Sequence, residues 1–370
     1  MNQDFVLKTL GTIMAWDTDR ARDEYAWLRL MSRIKYDGYQ DFLAGMRFVE
    51  SLVDWLQQFK PHERETAYRF VRDELVYIGP LEMSHLVELF YPETVQRKLM
   101  QETAARLAIK AYQVWADPAA EQLYKRMLRQ SLFIELSDGA RIDIFRRANA
   151  GVVNNEQIVT APRMIRAKWD DLLKDLRKDL GDPESRFAFV FIVDDFVGSG
   201  TTLLRKEDDG VWTGKLVRFW EDLHDADVQE THFQPDWQLC VHHYVASHLA
   251  AQVVVQRQAE AFAERSPGGS WFKRVEFSNG MILPANLPVN ELRNKEFLAL
   301  VQEYYDNAIE TKHMKKGGDD SRLGFGKCAL PLVLDHNTPN NSLALLWAET
   351  AGGPGKHAMR PLFRRRQRHF

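Results

Sequence analysis

The sequence is poor in cysteine and has no long apolar run. Only Cys240 and Cys328 occur among its 370 residues, which excludes a disulfide framework and a cysteine-rich zinc site and favours a reducing cytoplasm. No stretch approaches the roughly 18–20 apolar residues that span a bilayer. The opening residues MNQDFVLKTL lack the pattern of a signal peptide, and we find no internal repeat. These features predict a cytoplasmic protein without membrane contact.

An excess of charge of either sign is also lacking. The formal net charge is −3, with 45% hydrophobic and 27% charged residues, which is typical of a folded globular protein and argues against a surface that binds nucleic acid throughout. The last eleven residues, RPLFRRRQRHF, are the exception, since they carry five arginines and no acid. A solvated C-terminus is the favoured interpretation of this tail, and contact with nucleic acid or an acidic partner is the alternative.

The length and the apolar pattern predict two folded regions and a tail. A chain of 370 residues is long for a single core. Residues 1–125 show helical periodicity with breaks at proline and glycine, which predicts an all-helical N-terminal domain. From 126 to 350, apolar runs alternate with helical segments, which predicts an α/β domain with a mostly parallel sheet and flanking helices. Residues 351–370 form the basic C-terminal tail.

One segment, FAFVFIVDDFVGSGTT (187–202), joins an apolar strand to a polar loop. A continuous apolar run suits the centre of a parallel sheet, and ligands bind beyond the carboxyl ends of such strands. The adjacent acids Asp194 and Asp195 need compensation there, which the vicinal hydroxyls of a ribose or a bound cation would provide. Glycines and hydroxyls in the following loop supply donors for a phosphate. The segment therefore predicts a ribose-5-phosphate site.

Other uses of this segment fit its residue order less well. A Walker A loop has a lysine after its last glycine, a nucleophile elbow reads G-x-S-x-G, and a dinucleotide fingerprint places its glycines before the acid. The segment 187–202 has none of these orders. Aspartates that only cap the next turn are the structural alternative, but one aspartate would be enough for that task.

The segment FIVDDFVGSGTT resembles the phosphoribosyl-pyrophosphate (PRPP) motif of type I phosphoribosyltransferases. The resemblance implies that Asp194 and Asp195, the catalytic candidates, bind the 2′ and 3′ hydroxyls of ribose. It also implies a phosphate-binding loop formed by Val197, Gly198, Ser199, Gly200, Thr201 and Thr202. Thr201 is a departure, since most members have a second glycine there. Mg²⁺ bridging PRPP oxygens, mostly through ligand and water, is the expected cofactor.

Four segments are together similar to phosphoribosyltransferase-like proteins of bacterial conflict and antiphage defence systems. They are KYDGYQDFLAGMRFVESLVDWLQQF (35–59), LSDGARIDIFRRAN (136–149), VDDFVGSGTT (193–202) and HNTPNNSLALLW (336–347). Some members of that group accompany retron-type reverse transcriptases and act as the effector. The resemblance implies a toxic effector in antiphage defence, with a reverse transcriptase–nucleic acid complex as a candidate partner.

A second loop follows the apolar run LFIEL. In type I phosphoribosyltransferases a comparable loop binds pyrophosphate through backbone N–H groups, often with a basic residue. The resemblance implies this role for Ser137, Asp138, Gly139 and Arg141. An ordinary Asp-Gly turn is the alternative, and the two interpretations are about even.

Two further groups of polar residues are of interest. His336, Asn337, Asn340 and Asn341 follow the last apolar run and are candidate acceptor-binding residues, because asparagine amides both donate to and accept from a base or a ribose. A turn rich in asparagine and proline is the alternative. Adjacent histidines at 242 and 243 face opposite sides of a predicted strand, so no protein metal site is expected.

The residue patterns predict a phosphoribosyltransferase-like protein of the glycosyltransferase class, and the resemblance implies that it acts as an effector. It would bind PRPP or a related nucleotide ligand with Mg²⁺ and transfer or release the phosphoribosyl group. A non-catalytic nucleotide-sensing module that acts through a protein or nucleic-acid partner is the alternative, and a nucleotide hydrolase is a third interpretation. Transfer from PRPP requires that Gly139 and Arg141 face the loop of residues 194–202.

Overall fold

Contacts divide the chain into two units. One contains residues 1–83 with 285–370, and the other contains residues 84–284. The domain boundaries predicted from the sequence, at 125/126 and 350/351, differ from the limits of these two units. Those boundaries stay a prediction. The computed structural model describes residues 3–40, 42, 47–160, 163–265, 271–353 and 357–365. Parts of the quoted segment 35–59 and the end of the basic tail lie outside these residues.

The described residues form the following elements. The helices are α1 (Gln3–Met14), α2 (Thr18–Ile34), α3 (Phe48–Gln57), α4 (Arg64–Asp73), α5 (Pro80–Leu89), α6 (Arg97–Leu107), α7 (Pro118–Arg129), α8 (Ile142–Ala148), α9 (Arg166–Leu180), α10 (Lys215–Asp225), α11 (Gln229–His232), α12 (His248–Arg265), α13 (Glu291–Glu303), α14 (Lys312–Lys315) and α15 (Ala344–Trp347). The strands are β1 (Val76–Ile78), β2 (Ser131–Glu135), β3 (Ile158–Val159), β4 (Phe187–Val197), β5 (Arg205–Lys206), β6 (Trp212–Thr213), β7 (Phe233–Ala246), β8 (Val275–Ile282) and β9 (Leu332–Leu334). Within these ranges, no helix is long and apolar enough to cross a membrane.

The unit of residues 84–284 is built on a five-stranded sheet. Its strand order is β3-β2-β4-β7-β8, and each neighbouring pair is parallel. Helices precede or follow these strands along the chain, as expected when parallel strands need crossover connections. The predicted α/β class with a mostly parallel sheet is confirmed, and so is the helical N-terminal region, because every regular element that the described residues form before β1 is a helix.

β4 is the central strand of the sheet, and its first seven residues are apolar on both faces. All residues from 187 to 193 are buried, as expected for a parallel strand that is covered on both sides. On one face Phe191 stacks on Phe133 of β2 with ring centroids 5.3 Å apart. On the other face Val190 and Ile192 belong to a core cluster that includes residues of α9, α10 and α12. This packing places the polar end of β4 at the carboxyl edge of the sheet.

The other unit contains α1–α4, α13–α15 and the parallel pair β1–β9, in which Tyr77 lies opposite Val333. Its core includes Leu362 and Phe363, both with 0% exposure, and the ring of Phe363 stacks on Phe48 at 5.5 Å. The interpretation of the basic tail as a solvated C-terminus is therefore wrong for Met359, Leu362 and Phe363, whose side chains are buried. Apolar residues between the arginines are buried in the core and hold this segment in place.

Candidate functional site

Asp194 and Asp195 lie near the carboxyl end of β4. Because side chains alternate along a strand, the two carboxylates point to opposite faces of the sheet. Asp194 is 4% exposed and reaches α10, whereas Asp195 is half-buried and shares the face of Phe191. The two carboxylates therefore have different surroundings and do not lie together on one face of the sheet.

Side chains from two neighbouring elements hold the carboxylate of Asp194. Lys215, the first residue of α10, donates from Nζ to Oδ2. Ser137, which follows β2, donates from Oγ to Oδ1. Burial raises the pKa of Asp194, and Lys215 and Ser137 oppose this shift because they stabilise the charged form. No motif spacing links Lys215 to an acid 21 positions earlier in the chain, so the sequence analysis missed it.

Carbonyl groups anchor the loop that follows β4. Ser247 donates from Oγ to the carbonyl oxygen of Gly198. Arg257 of α12 donates from Nη1 to the carbonyl oxygens of Ser199, at 3.3 Å, and Leu204, at 3.1 Å. These bonds hold the loop in one shape. Ser247 and Arg257 are supporting residues that the sequence motif does not include.

Gly200 is required by the backbone of this loop. Its φ is +71°, and a Cβ there would lie 2.8 Å from Cγ1 of Val254. After this turn Thr201 is half-buried and Thr202 is exposed, whereas Ser199 is 7% exposed. The hydroxyl of Ser199 lies 3.4 Å from the backbone N–H of Thr201, which donates to it. The loop thus presents threonine side chains to solvent from a fixed backbone.

A second glycine places Lys215 beside Asp194. Gly214 has φ +128°, and a Cβ there would lie 2.4 Å from the carbonyl oxygen of Leu203. The backbone N–H of Lys215 donates to the carbonyl of Thr202 at 3.0 Å. The start of α10 therefore packs directly against the loop, at a distance that no side chain at position 214 would permit.

The predicted pyrophosphate loop lies next to the predicted ribose acids. Asp138–Ala140 form a 3-10 turn after β2, and Arg141 follows with φ +49°, in the left-handed region. Gly139 is buried, Asp138 is exposed and Arg141 is half-buried. The hydrogen bond from Ser137 to Asp194 joins this turn to the end of β4. The structure thus brings the two segments together.

β7 contributes two buried histidines on opposite faces of the sheet. The ring of His242 packs on Phe90 at 4.4 Å, whereas His243 lies opposite Asp194 in the strand register. Burial lowers the pKa of both imidazoles to about 3, so both are neutral at pH 7. Among the described residues, no group of three or more histidines, cysteines and acids is arranged to hold a metal ion.

The candidate acceptor-binding residues His336, Asn337, Asn340 and Asn341 belong to the other unit, after β9. Asn341 is 7% exposed, and its amide donates to the carbonyl oxygen of Phe325 at 2.8 Å. This hydrogen bond satisfies the backbone carbonyl of Phe325, so Asn341 has a structural role. The acceptor-binding role of the four residues stays a prediction.

A parallel sheet with paired acids and a small-residue loop at the end of its central strand is the arrangement of a phosphoribosyltransferase-like protein. A family model agrees with this class. The PRTase-CE model matches residues 52–365, and the chain belongs to the PRTase-CE family. No curated protein and no solved structure matched the chain.

Proposed function

We propose that the chain binds PRPP, or a related ribose-5-phosphate ligand, with Mg²⁺ and transfers or releases the phosphoribosyl group. One observation carries the proposal: Ser137 and Lys215 meet on the carboxylate of Asp194, beside the loop of residues 198–204. This contact joins the two segments whose expected roles, pyrophosphate binding and ribose-phosphate binding, belong to one ligand. The family supports the general class of activity.

Each part of the ligand has a matching group in this proposal. The hydroxyls of Thr201 and Thr202, with backbone N–H groups of the loop, donate to the 5-phosphate. Asp194 is already engaged by two donors of the protein. Asp195 is half-buried on the other face, where a ligand can reach it, and we assign to it the hydrogen bonds from the ribose hydroxyls.

The residues present fit Mg²⁺ as an ion that arrives with its ligand. Asp195 supplies a carboxylate at the edge of the sheet, and it would hold the ion directly or through water. Mg²⁺ prefers oxygen ligands and keeps several waters, so an ion that arrives with PRPP would need few ligands from the protein. When bound, the ion would neutralise negative charge on the pyrophosphate.

Transfer from PRPP places positive charge on the ribose ring as pyrophosphate departs. A protein accelerates such a step by positioning and by fixed charges more than by a nucleophilic side chain. The anchored loop fixes the phosphate end of the ribose, and the carboxylate of Asp195 stabilises the developing positive charge. Lys215 stabilises the charged form of the buried carboxylate of Asp194 and holds the side chain in place.

A non-catalytic sensing module is the second candidate, and one observation favours it. Asp194, an expected ribose acid, is paired with Lys215 inside the protein, so a ligand can use the loop and Asp195 without any transfer. In this form the site would bind a nucleotide and pass the signal to a protein or nucleic-acid partner.

The biological setting is part of the proposal and rests on the motif resemblance. We place the protein in the cytoplasm as an effector of antiphage defence. A complex of a reverse transcriptase with nucleic acid is the proposed partner. Infection of cells that carry the wild-type chain or Asp195→Asn, with phage titre as the readout, tests this setting separately from the chemistry.

Product analysis tests the proposed chemistry. Purified protein is incubated with PRPP and Mg²⁺, with and without nucleobases or nucleic-acid ends as acceptors, and pyrophosphate is measured. We expect pyrophosphate release by the wild type and by Asp208→Asn, an exposed control, and at least a tenfold loss in Asp195→Asn. Binding of PRPP without release would support the sensing module. Release of phosphate from nucleotides, without pyrophosphate from PRPP, would support a hydrolase and contradict the proposal.

A further inference from the structure

Glu135 is a carboxyl group at the same edge of the sheet that the sequence motifs do not include. It is the last residue of β2 and lies opposite Val193 of β4. Side chains alternate along a strand, so Glu135 shares the face of Phe133. Asp195 shares the face of Phe191, and the rings of Phe133 and Phe191 stack together. Glu135 and Asp195 therefore stand on neighbouring strands, on the same face of the sheet.

Aromatic rings form an apolar floor beneath these two acids. Phe145 of α8 packs on Phe133 with ring centroids 4.9 Å apart, and Phe90 packs on Phe145 at 5.3 Å. Tyr244 of β7 lies beside this floor, 6.4 Å from the ring of Phe90. Its hydroxyl is buried and has no hydrogen-bond partner among the described residues. A carboxyl group above such a floor is poorly solvated, which favours its neutral form.

Acidic neighbours add to this effect. Burial raises the pKa of Glu135 to about 7, the negative charges of Asp138 and Asp143 contribute to the rise, and Arg146 opposes it. These groups lie on the turn after β2 and on α8, while β4 presents Asp195 and β7 presents Tyr244 on the same face. Glu135 is half-buried, so it remains accessible from the edge of the sheet. A carboxyl group with a pKa in this range can give up and regain a proton near neutral pH.

Resting on the proposed function, we propose that the carboxyl group of Glu135 is the general acid that protonates the departing pyrophosphate of bound PRPP. Its position carries the inference. Glu135 lies on the same face as Asp195, the acid expected to hold the ribose, and directly before the turn expected to hold pyrophosphate. A proton donor between these two groups is near the bond that breaks.

The step moves one proton and one electron pair to the leaving group. The bond between ribose C1 and the pyrophosphate oxygen breaks, and the oxygen keeps both electrons and takes the proton of Glu135. A new bond forms between C1 and the attacking atom, which for hydrolysis is the oxygen of water. That water gives its proton to the solvent, and the carboxylate of Glu135 regains a proton from the solvent before the next turnover.

Other titratable groups near the site are less suited to this step. His243 is neutral and 2% exposed, and burial lowers its pKa to about 3. Asp143 is exposed and forms an ion pair with Arg147 at 2.8 Å. A general acid is most efficient when its pKa is near the working pH. Of the groups named around this face, Glu135 meets that condition.

Two measurements on Glu135→Gln test the inference, with Glu156→Gln as the control at an exposed position. The first is pyrophosphate release from PRPP, with water as the acceptor, between about pH 6 and pH 9. We expect the wild-type rate to fall roughly tenfold per pH unit above about pH 7, and Glu135→Gln to be slower by about 100-fold or more without this fall. The control should behave as the wild type.

The second measurement is calorimetric titration of PRPP with Mg²⁺ in buffers of different ionisation enthalpy, which counts protons bound with the ligand. An anionic ligand raises the pKa of a nearby acid, so we expect the wild type to take up more protons than Glu135→Gln at about pH 7.5. The affinity for PRPP should stay within about threefold, because the general acid acts on the leaving group and adds little to ground-state binding.

The outcomes separate this inference from the proposed function. If the wild type does not bind PRPP, the proposed function fails, and this inference fails with it. If the wild type binds PRPP and Glu135→Gln takes up the same number of protons, or shows the same fall of rate with pH, only the role of Glu135 is refuted. A loss of affinity and rate by the same factor in Glu135→Gln would indicate a structural role and would also refute it.

Discussion

At the scale of single residues, the ion pair between Lys215 and Asp194 is the contact on which the site depends. Asp194 is almost completely buried, and the Lys215 side chain is 22% exposed. A buried carboxylate that loses its partner costs far more than an exposed one. The pair therefore stabilises the end of β4 and holds the start of α10 against the loop.

Replacement of the lysine should destabilise the fold strongly. We expect Lys215→Met to lower the free energy of unfolding by about 3 kcal/mol, because it leaves the buried carboxylate of Asp194 without its positively charged partner. Addition of Asp194→Asn should recover most of this loss. The control is Lys206→Met, which breaks the exposed Lys206–Glu264 pair and should cost no more than about 1 kcal/mol. Urea unfolding measures the wild type and these variants, and equal costs for the two lysines would contradict the expectation.

At the scale of elements, the junction between the loop and α10 sets the geometry. The backbone of Leu203 approaches Gly214 so closely that a methyl group has no room there. The two hydrogen bonds from Lys215 and Leu216 to the carbonyls of Thr202 and Leu203 close the junction. A change at this point should therefore disturb the fold and the ligand site together.

Gly214→Ala should be more costly than the same change at another glycine with positive φ. Gly151 has φ +82°, and a methyl group there would meet no atom within 4 Å, so Gly151→Ala tests backbone strain alone, about 1 kcal/mol. Gly214→Ala adds a contact of 2.4 Å with a backbone oxygen, and we expect an additional loss of about 1–3 kcal/mol. Thermal unfolding and PRPP titration measure the two effects. Equal losses of stability in both variants would show that the junction is not tightly packed.

Elements whose own residues show a clear apolar pattern could be predicted from the sequence. The run from 187 to 193 is apolar without interruption, which predicted β4 and the loop after it. The position of Lys215 could not be predicted, because it depends on how α10 packs on the loop. The pairing of β1 with β9 joins three-residue strands from distant parts of the chain, and no local pattern encodes it.

At the scale of the whole molecule, stability depends on pH through buried histidines. His242 donates to or accepts from the hydroxyl of Ser278 at 2.9 Å and is 1% exposed. Burial lowers its pKa to about 3, from an ordinary value of 6.5. Between these values the unfolded chain binds a proton that the folded chain does not, so stability falls as pH drops through this window.

His242→Gln should remove this part of the pH dependence. Each such histidine costs about 1.4 kcal/mol per pH unit below about pH 6.5, so the slope of unfolding free energy between about pH 6 and pH 4 should decrease by one proton. The control is the exposed His224→Gln, which should keep the wild-type slope. Urea titrations at several pH values give the slopes. An unchanged slope in His242→Gln would show that this imidazole is protonated in the folded protein.

The architecture of the whole chain was only partly predictable. The α/β class followed from strands that alternate with helices between 126 and 350. The burial of Leu362 and Phe363 did not follow, because five arginines in the last eleven residues dominate the composition of that segment. The side chains of Leu362 and Phe363 place the C-terminal segment in a hydrophobic core. This core contains residues from near both ends of the chain.

The most direct test of the proposed ribose-phosphate site is a calorimetric titration of PRPP with Mg²⁺ into the purified protein. We would compare the wild type with Asp195→Asn, which removes the charge expected to hold the ribose, and with the exposed control Asp208→Asn. We expect binding to the wild type and to the control, and a loss of at least about tenfold in affinity for Asp195→Asn. Equal binding by all three proteins, or none by the wild type, would contradict the assignment of the site.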